Sequence, residues 1–334
     1  MKTIRRYWYI SKKIQMAWLG FENGFGISPF LFYSYLKNVF FHTFFFKFFE
    51  RPCIYTVEED GDILLIAPMK YNIKKKNWML LGDIFGSGEA DFLYAQTLSN
   101  EKRIQLTYDL ISSFNGKFEF SRISEESILF KVCQEMTLEQ AYNNSVMILI
   151  PEDYDVFNQS LSSSVRQNLR TSYNRMKRDE IFYQLEFYEK GNDNTMEKIF
   201  YEIMPVYLTR QRGKYNNHNG FAKNLYSFFY RNLKHDSISL KNSENAVHFV
   251  LRINNEIAAF FSGLKNKTGD IIVVPRLAIN DKFSFYSPGY LLLNESIKFL
   301  KEREVKILDL TRGTEKYKTA FNGIVYKTYD FKGK

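Results

Sequence analysis

The chain has 334 residues, a formal net charge of +9 and a sequence pI near 9.2. Hydrophobic residues make up 45% of it and charged residues 25%, which is typical of a globular protein and excludes an intrinsically disordered chain. The excess positive charge indicates an anionic partner, either cofactor phosphates, nucleic acid or an anionic membrane surface. Two cysteines and four scattered histidines show no metal-ligand or disulfide spacing, so we expect no metal site and a reducing, cytoplasmic compartment.

The first 50 residues are rich in aromatic side chains and are predicted to be partly helical. Residues 39–49 form the most apolar window of the chain, but a membrane-spanning helix needs about 20 residues, so the window is too short. We interpret it as a buried aromatic segment. The alternative is a patch that dips into a membrane interface and gives a peripheral membrane contact.

Strand patterns begin after this segment. Residues 53–59 and 62–69 are strand candidates, and Asp60-Gly61 between them is a strong hairpin signal. Further elements are predicted in this order: a strand over residues 78–82, a helix over 103–114 and a strand over 117–123. A strand over residues 144–150 is closed by a proline.

An amphipathic helix is predicted over residues 162–178. Arg166 and Arg170 lie one turn apart beside its apolar stripe, and the simpler interpretation is a solvated basic face. An arginine pair can also hold an anionic substrate group or a donor phosphate through forked hydrogen bonds. Another helix is predicted over residues 195–212 and ends at Arg212.

The order of elements in the first half recurs in the second. Asn254-Asn255 joins two strand candidates in a second hairpin, and residues 271–310 repeat the strand, helix, strand order. We interpret this recurrence as a tandem duplication. It predicts an α/β (α+β) fold of two tandem units, each a mixed, largely antiparallel sheet flanked by helices. The predicted domains are residues 1–143 and 144–334.

A Ser-Pro-Gly junction, Ser287-Pro288-Gly289, marks the start of the helix inside the second copy. Ser287 is predicted to cap the helix, Pro288 suits its first turn, and Gly289 permits close approach of another backbone. The N–H groups of such a helix start suit a phosphate, although an ordinary capped helix has the same pattern. The first copy has no such junction and is expected to have lost ligand binding.

The segments after the junction complete a recognisable order. A strand over residues 305–310 leads into the tyrosine-bearing segment 311–323 and a last strand over 324–331. This order resembles the acyl-CoA-binding half of the GNAT superfamily of N-acyltransferases, with the Ser-Pro-Gly junction in place of the Gly-x-Gly phosphate loop. Residues 317–323 resemble the tyrosine segment of that superfamily.

The Ser-Pro-Gly form is most similar to the GNAT branch found in bacterial polysaccharide and cellulose biosynthesis loci, whose nearest relatives are the Fem-type aminoacyl transferases. That branch carries an Arg-x-Asn-Leu-Arg helix, which Arg166, Asn168, Leu169 and Arg170 match. The resemblance implies an enzyme that takes acetyl-CoA or another acyl-CoA as donor and an amine as acceptor. A metal is not part of that chemistry.

The resemblance also implies roles for particular residues. The donor-binding residues are Val273, Val274, Lys282, Ser287, Gly289 and Tyr290. The catalytic residues are Tyr317 as acid and, as base, Glu315 first and Asp309 second. The substrate-binding residues are Arg166, Asn168, Arg170, Arg212, Arg312 and Lys318. Ser284 occupies a position where the superfamily usually has Arg or Gln, and Lys282 is expected to supply that charge. A surface salt bridge with a nearby lysine is the alternative interpretation of Glu315.

Three functional hypotheses follow. The first is an acyl-CoA:amine acyltransferase that acetylates an amino sugar of a surface polysaccharide precursor. The second is a Fem-type transferase that uses aminoacyl-tRNA, which suits the positive charge, although no sustained heptad predicts the coiled-coil insertion that Fem enzymes often carry. The third is a non-catalytic duplicated scaffold. The acyl chain, N- versus O-acylation and the oligomeric state are left open by the sequence.

Overall fold

The computed structural model describes residues 1–24, 26–84, 87–190, 195–215 and 237–333, and for residues 212–215 it describes the backbone alone. Two compact units are present. The first consists of Met1–Asn144, Ile238–Ser243 and Lys327–Lys334, and the second of Ser145–Ser237 and Glu244–Tyr326. The predicted boundary at residue 144 stays a prediction, but residues 328–333, assigned above to the C-terminal domain, pair with a strand of the first unit.

The first unit is a mixed sheet flanked by helices. Its elements are β1 (Lys2–Tyr7), α1 (Lys12–Phe21), α2 (Tyr33–Phe46), β2 (Glu50–Glu59), β3 (Asp62–Asn72), β4 (Asn77–Leu80), β5 (Leu93–Tyr94), α3 (Asn100–Ser112), β6 (Lys117–Ser124) and α4 (Ile128–Glu135). The strands pair in the order β1-β2-β3-β4-β6, and residues 328–333 of the last strand lie antiparallel to β6. Asp60 and Gly61 adopt positive φ in the turn between β2 and β3, so the predicted hairpin is confirmed.

The second unit repeats this arrangement. Its elements are β7 (Glu139–Leu149), α5 (Tyr154–Ser160), α6 (Ser163–Arg178), β8 (Tyr183–Glu189), α7 (Thr195–Tyr215), β9 (Ala246–Ile253), β10 (Glu256–Lys265), β11 (Ile271–Ile279), α8 (Pro288–Lys301), β12 (Ile307–Arg312), α9 (Lys316–Ala320) and β13 (Ile324–Gly333). Strand β7 begins in the first unit, and strand β13 ends there. The strands pair in the order β8-β9-β10-β11-β12, with residues 145–149 of β7 antiparallel to β12. Helix α8 packs on this sheet, and its predicted apolar stripe, Leu293, Ile297 and Leu300, is fully buried.

The two units also share one detail of strand pairing. In the first, the parallel pair β4 and β6 ends at Met79 opposite Glu119. In the second, the parallel pair β11 and β12 ends at Val273 opposite Asp309. In both units the other pairs are antiparallel, as predicted. The same element order and the same three-residue parallel ladder support a duplication.

Helix α2 departs from the prediction of a buried aromatic segment. One face, which includes Leu36, Val39 and Phe40, is buried as expected. The opposite face leaves several phenylalanines in solvent, so that prediction was wrong for half of the segment. The sequence could not separate the faces because both are aromatic. In the ranges that the structure describes, no helix has both the length and the apolarity needed to cross a membrane.

Candidate functional site

A slot opens between β11 and β12 in the second unit. The two strands pair in parallel as far as Val273 and Asp309, yet β11 continues to Ile279 and β12 to Arg312. Beyond Val273 the facing backbone groups of these two fully described strands do not pair with each other. Backbone N–H and C=O groups at such a site require other partners, and an extended ligand with amide groups can provide them.

A β-bulge in β11 lies at the point where the slot opens. Leu264 of β10 is opposite Val273, but Ser262 is opposite Arg276, so β11 has one extra residue over this stretch. Pro275 lies in the bulge, where its missing N–H removes no ladder bond. Gly263 lies across from it, and a Cβ there would be 1.8 Å from the carbonyl oxygen of Val273. The bulge bends β11 and increases its twist, which directs its second half away from β12.

Asp309 lies at the closed end of the slot. One carboxylate oxygen accepts a hydrogen bond from the hydroxyl of Tyr326 at 2.7 Å, and the other accepts one from the backbone N–H of Thr311 at 2.7 Å. Burial raises the pKa of Asp309 to about 6, against the lowering effect of these hydrogen bonds. A carboxylate that ionises near neutral pH can act as a general base.

Tyr317 lies on α9, the short helix that follows β12. Burial raises the pKa of its hydroxyl, and the negative charge of Glu315 raises it further, whereas the positive charge of Arg210 on α7 lowers it. The net shift is upward, so the hydroxyl keeps its proton at neutral pH and can donate it. Arg210 carried no signal in the sequence because its position depends on the packing of α7.

Lys318 is buried at the end of β12. Its side chain is 4% exposed, and its ammonium group donates to the carbonyl oxygens of Leu310 at 2.9 Å and Arg312 at 2.8 Å. Positive φ angles at Thr311 and Gly313 turn these carbonyls towards it. The structure thus gives the Lys318 ammonium contacts at the end of β12, and its role in substrate binding stays a prediction.

Glu315 forms the salt bridge that was the alternative interpretation of this residue. Its carboxylate lies 3.0 Å from the Lys318 ammonium and is about half exposed, at 53% of the side chain. A base must be free to take a proton from the acceptor, and the ion pair with Lys318 occupies this carboxylate. The geometry thus favours Asp309 over Glu315, the reverse of the predicted order.

Replacing Lys318 with methionine is expected to destabilise the second unit. The change leaves the carbonyls at the end of β12 without their charged donor, and such hydrogen bonds contribute roughly 1.5–3 kcal/mol. We expect the free energy of unfolding to fall by about 2 kcal/mol, measured by urea denaturation. Lys316→Met, an exposed change on the same helix, serves as the control and should be near neutral. Equal stability of the two variants would contradict this assignment.

The helix start at the Ser-Pro-Gly junction differs from the predicted cap. Ser287 has φ 50° and ψ 54°, and its side chain accepts no hydrogen bond from α8. The backbone N–H of Ser287 donates to Ser284, and that of Tyr290 donates to Ser287, both at 3.0 Å. Of the predicted donor-binding residues Ser287, Gly289 and Tyr290, two therefore donate their backbone N–H groups within the turn instead of to a phosphate. The left-handed backbone of Ser287 accounts for the missing side-chain cap, and a serine at this position does not predict that conformation.

The other predicted donor-binding residues lie close to the slot. A Cβ on Gly289 would be 2.7 Å from the Cδ1 atom of Ile279, so the helix start lies against the end of β11. Val273 and Val274 are buried on β11, and Val274 packs in the core cluster below α8. Lys282 is exposed and pairs with Glu256 at 2.6 Å.

The predicted arginine pair lies elsewhere. Arg170 is exposed and lines a cavity of about 540 Å³ between α5, α6 and α8. Arg166 donates to the carbonyl oxygen of Leu161 at 2.8 Å and so holds the end of α5. Asn294 and Lys298 form the α8 side of the cavity, about 9 and 15 Å along the helix from Pro288 at 1.5 Å per residue. The structure therefore does not bring these arginines to the slot.

Three predicted substrate-binding residues remain. Asn168 lies on α6, where its backbone carbonyl accepts a hydrogen bond from Ser172 at 2.9 Å. Arg312 is exposed at the end of β12. The side chain of Arg212 lies outside the described part of the chain. None of these observations assigns them a substrate.

Comparison with known proteins identifies the fold. Residues 163–319 match the family described as acetyltransferase (GNAT) domain. A tandem GNAT protein from the clavulanic acid biosynthesis pathway is similar over 100% of this chain and 98% of its own, at 6% identity and a TM-score of 0.52. The chain has a tandem GNAT fold. The prediction of two GNAT-like units is thereby confirmed.

Two further solved structures share this tandem GNAT fold. The C-terminal domain of a putative lysylphosphatidylglycerol synthetase from Agrobacterium fabrum is similar over 96% of this chain and 91% of its own, at 13% identity and a TM-score of 0.55. FemX is similar over 98% of this chain and 96% of its own, at 9% identity and a TM-score of 0.54. Identities this low show the fold alone. No curated protein sequence matches the chain.

The corresponding place in the first GNAT unit is occupied by its own side chains. At the end of the β4 and β6 ladder, Arg122 donates to the hydroxyl of Ser87 at 2.7 Å and lies 3.5 Å from the carboxylate of Asp83. Helix α3 begins only at Asn100 and has an ordinary serine cap, Ser99. The slot of the second unit is therefore the better candidate for a ligand site.

Proposed function

We propose that this chain is an acyl-CoA-dependent N-acyltransferase. The observation that carries the proposal is the slot between β11 and β12, with the raised-pKa carboxylate of Asp309 at its closed end and the protonated Tyr317 on the helix that follows. The pantetheine arm of CoA has two amide groups that can pair with the backbone of β11 beyond Val273. The start of α8 lies against the same strand, and the positive end of its helix dipole would attract the donor's phosphates.

The reaction is a direct transfer without an enzyme nucleophile. Asp309 takes a proton from the acceptor amine, directly or through water, and the amine nitrogen attacks the thioester carbonyl carbon. The new C–N bond forms, the C–S bond breaks, and the hydroxyl of Tyr317 gives its proton to the departing thiolate. Glu315, whose carboxylate is paired with Lys318, is the second candidate for the base.

The acceptor we propose is an amino sugar of a surface polysaccharide precursor. Its support is the resemblance of the Ser-Pro-Gly junction and of the α6 motif to the branch found in polysaccharide loci. A Fem-type transfer from aminoacyl-tRNA is the second candidate, favoured by the net charge of +9. Loss of activity after ribonuclease treatment would distinguish the second from the first.

A thermal-shift titration of the purified protein with acetyl-CoA, longer acyl-CoAs and free CoA tests the donor. We expect acetyl-CoA to raise the melting temperature. A ligand at about 100 times its dissociation constant adds roughly 2.7 kcal/mol to the free energy of unfolding. Gly289→Leu should remove the shift, because the new side chain fills the space between α8 and Ile279.

The matched control for this titration is Gly20→Leu, since Gly20 is also a helix glycine but has open space around it. This variant should respond to acetyl-CoA as the wild type does. Absence of a shift with every CoA species would reject the donor. An equal shift in the Gly289 variant would place the donor elsewhere.

A further inference from the structure

Helix α2 and the turn after it carry an aromatic face that points into solvent. Five phenylalanines, called here the phenylalanine face, form it: Phe41, Phe44, Phe45, Phe48 and Phe49. They are 47%, 52%, 62%, 68% and 54% exposed. Phe41, Phe44 and Phe45 follow the i, i+3, i+4 spacing of a helical stripe on α2, which ends at Phe46, and Phe48 and Phe49 lie in the turn after it. The opposite side of α2 is buried, so the helix is apolar on both sides. A contiguous exposed apolar surface of this kind marks an interaction site.

The turn between β3 and β4 extends this surface and adds charge. The backbone N–H of Ile73 donates to the carbonyl oxygen of Phe49 at 2.8 Å, which places the turn beside the phenylalanine face. Ile73 is 42% exposed, and the three lysines after it, Lys74, Lys75 and Lys76, are also exposed.

Further basic residues flank the phenylalanine face. Lys37 precedes Phe41 by one turn, and Arg51 follows Phe49 by two residues. Residues 37–51 and 72–77 are described throughout and contain one carboxylate, Glu50, whose oxygen lies 3.2 Å from the ammonium of Lys70. Apart from Glu119, 3.6 Å from Lys75, no acidic side chain pairs with these lysines in the described residues. The surface is therefore aromatic at its centre and basic at its border.

Exposed phenylalanines bordered by lysines fit an anionic membrane surface. Aromatic side chains partition into the boundary between headgroups and acyl chains, and lysines are attracted to anionic headgroups. A second copy of the chain fits less well, because a symmetric contact through this face would bring the lysines of two 73–76 turns into one interface, where like charges repel. We propose that the phenylalanine face and the 73–76 turn dock the protein onto a bilayer that contains anionic phospholipid. The proposal does not depend on the acyltransferase reaction.

Vesicle co-sedimentation of the full chain tests this proposal. The wild type is expected to bind vesicles of phosphatidylcholine mixed with phosphatidylglycerol, to bind pure phosphatidylcholine vesicles much less, and to lose binding as salt is raised. Two double variants, Phe45→Ser with Phe48→Ser and Lys74→Glu with Lys76→Glu, should each lower the binding constant at least about tenfold. Both pairs are exposed, so the melting temperature should stay near that of the wild type.

Matched controls lie in the second unit. Phe182→Ser changes a phenylalanine that is 61% exposed, and Lys306→Glu changes a lysine whose side chain is 76% exposed. Both should bind vesicles as the wild type does. The proposal is overturned by absence of binding, by equal binding to neutral vesicles, by equal losses in the controls, or by a dimer in light scattering that the Phe45→Ser, Phe48→Ser variant abolishes.

Discussion

Gly263→Ala is expected to lower the free energy of unfolding by about 3 kcal/mol, the upper end of the cost of overpacking a core. The new methyl would lie 1.8 Å from the carbonyl oxygen of Val273 and 2.7 Å from both the carbonyl carbon of Val273 and the Cα atom of Val274. All three are backbone atoms, so no side-chain rotation can relieve the contact. Strand β11 must move, and the bulge must move with it. Urea denaturation with comparison of the m-values measures the loss.

The control for this change is Gly20→Ala on α1, where an added Cβ meets nothing within 4 Å. Alanine in an exposed helix position is expected to raise the free energy of unfolding by about 0.5–1 kcal/mol. The thermal-shift titration described above then separates stability from function. The Gly263 variant should melt at a lower temperature than the wild type, and we expect acetyl-CoA not to raise that temperature, since the slot depends on the bulge. A Gly263→Ala protein as stable as the wild type would refute the bulge geometry described above.

The parts of the fold that the sequence predicted correctly are those set by local periodicity and turn chemistry. The two hairpins depend on Asp60-Gly61 and on Asn254-Asn255, residues that tolerate the left-handed conformations seen there. Helix α8 follows from a regular apolar stripe. The duplication could be inferred because both halves repeat the same order of strands and helices, and that order needs no knowledge of side-chain contacts.

The candidate site was less predictable because its geometry arises from tertiary contacts. Ser287 was expected to cap α8, but its left-handed backbone turns the side chain away from the helix N–H groups. Lys318 was expected to bind substrate, but the carbonyls of β12 converge on it only after the turn at Thr311 and Gly313 has formed. Pro275 carried the one local signal for the bulge, since proline inside a strand is typical of bulges and edges. The donor, base and acid assignments therefore remain proposals.

Asp309→Asn is expected to lower kcat by about 10²–10⁴, the range attributed to general base catalysis. The substitution preserves shape, so an amide oxygen can still accept from the N–H of Thr311, and the hydrogen bond with Tyr326 can reverse its direction. In the wild type the base must be ionised. Because burial raises the pKa of Asp309 to about 6, kcat/KM should fall about tenfold for each pH unit below 6. The variant should lack this acid limb.

Glu315→Gln is the matched comparison, because both changes convert a carboxylate near the slot into an amide. The Glu315 carboxylate is held by Lys318, so we expect less than about a tenfold change in kcat and an unchanged pH profile. If the larger loss and the missing acid limb belong instead to Glu315→Gln, the roles of the two carboxylates are exchanged.

Stability as a function of pH separates a catalytic role of Asp309 from a structural one. Its pKa is raised in the folded protein, so the folded state binds the proton more tightly than the unfolded state. The wild type should therefore gain stability as pH falls through about 6 towards the ordinary range of an aspartate, whereas Asp309→Asn should lack that gain. At neutral pH the variant should be at least as stable as the wild type, because it removes a charge that is costly to bury. An inactive variant that is also much less stable at neutral pH would mean that Asp309 supports the fold and that another group is the base.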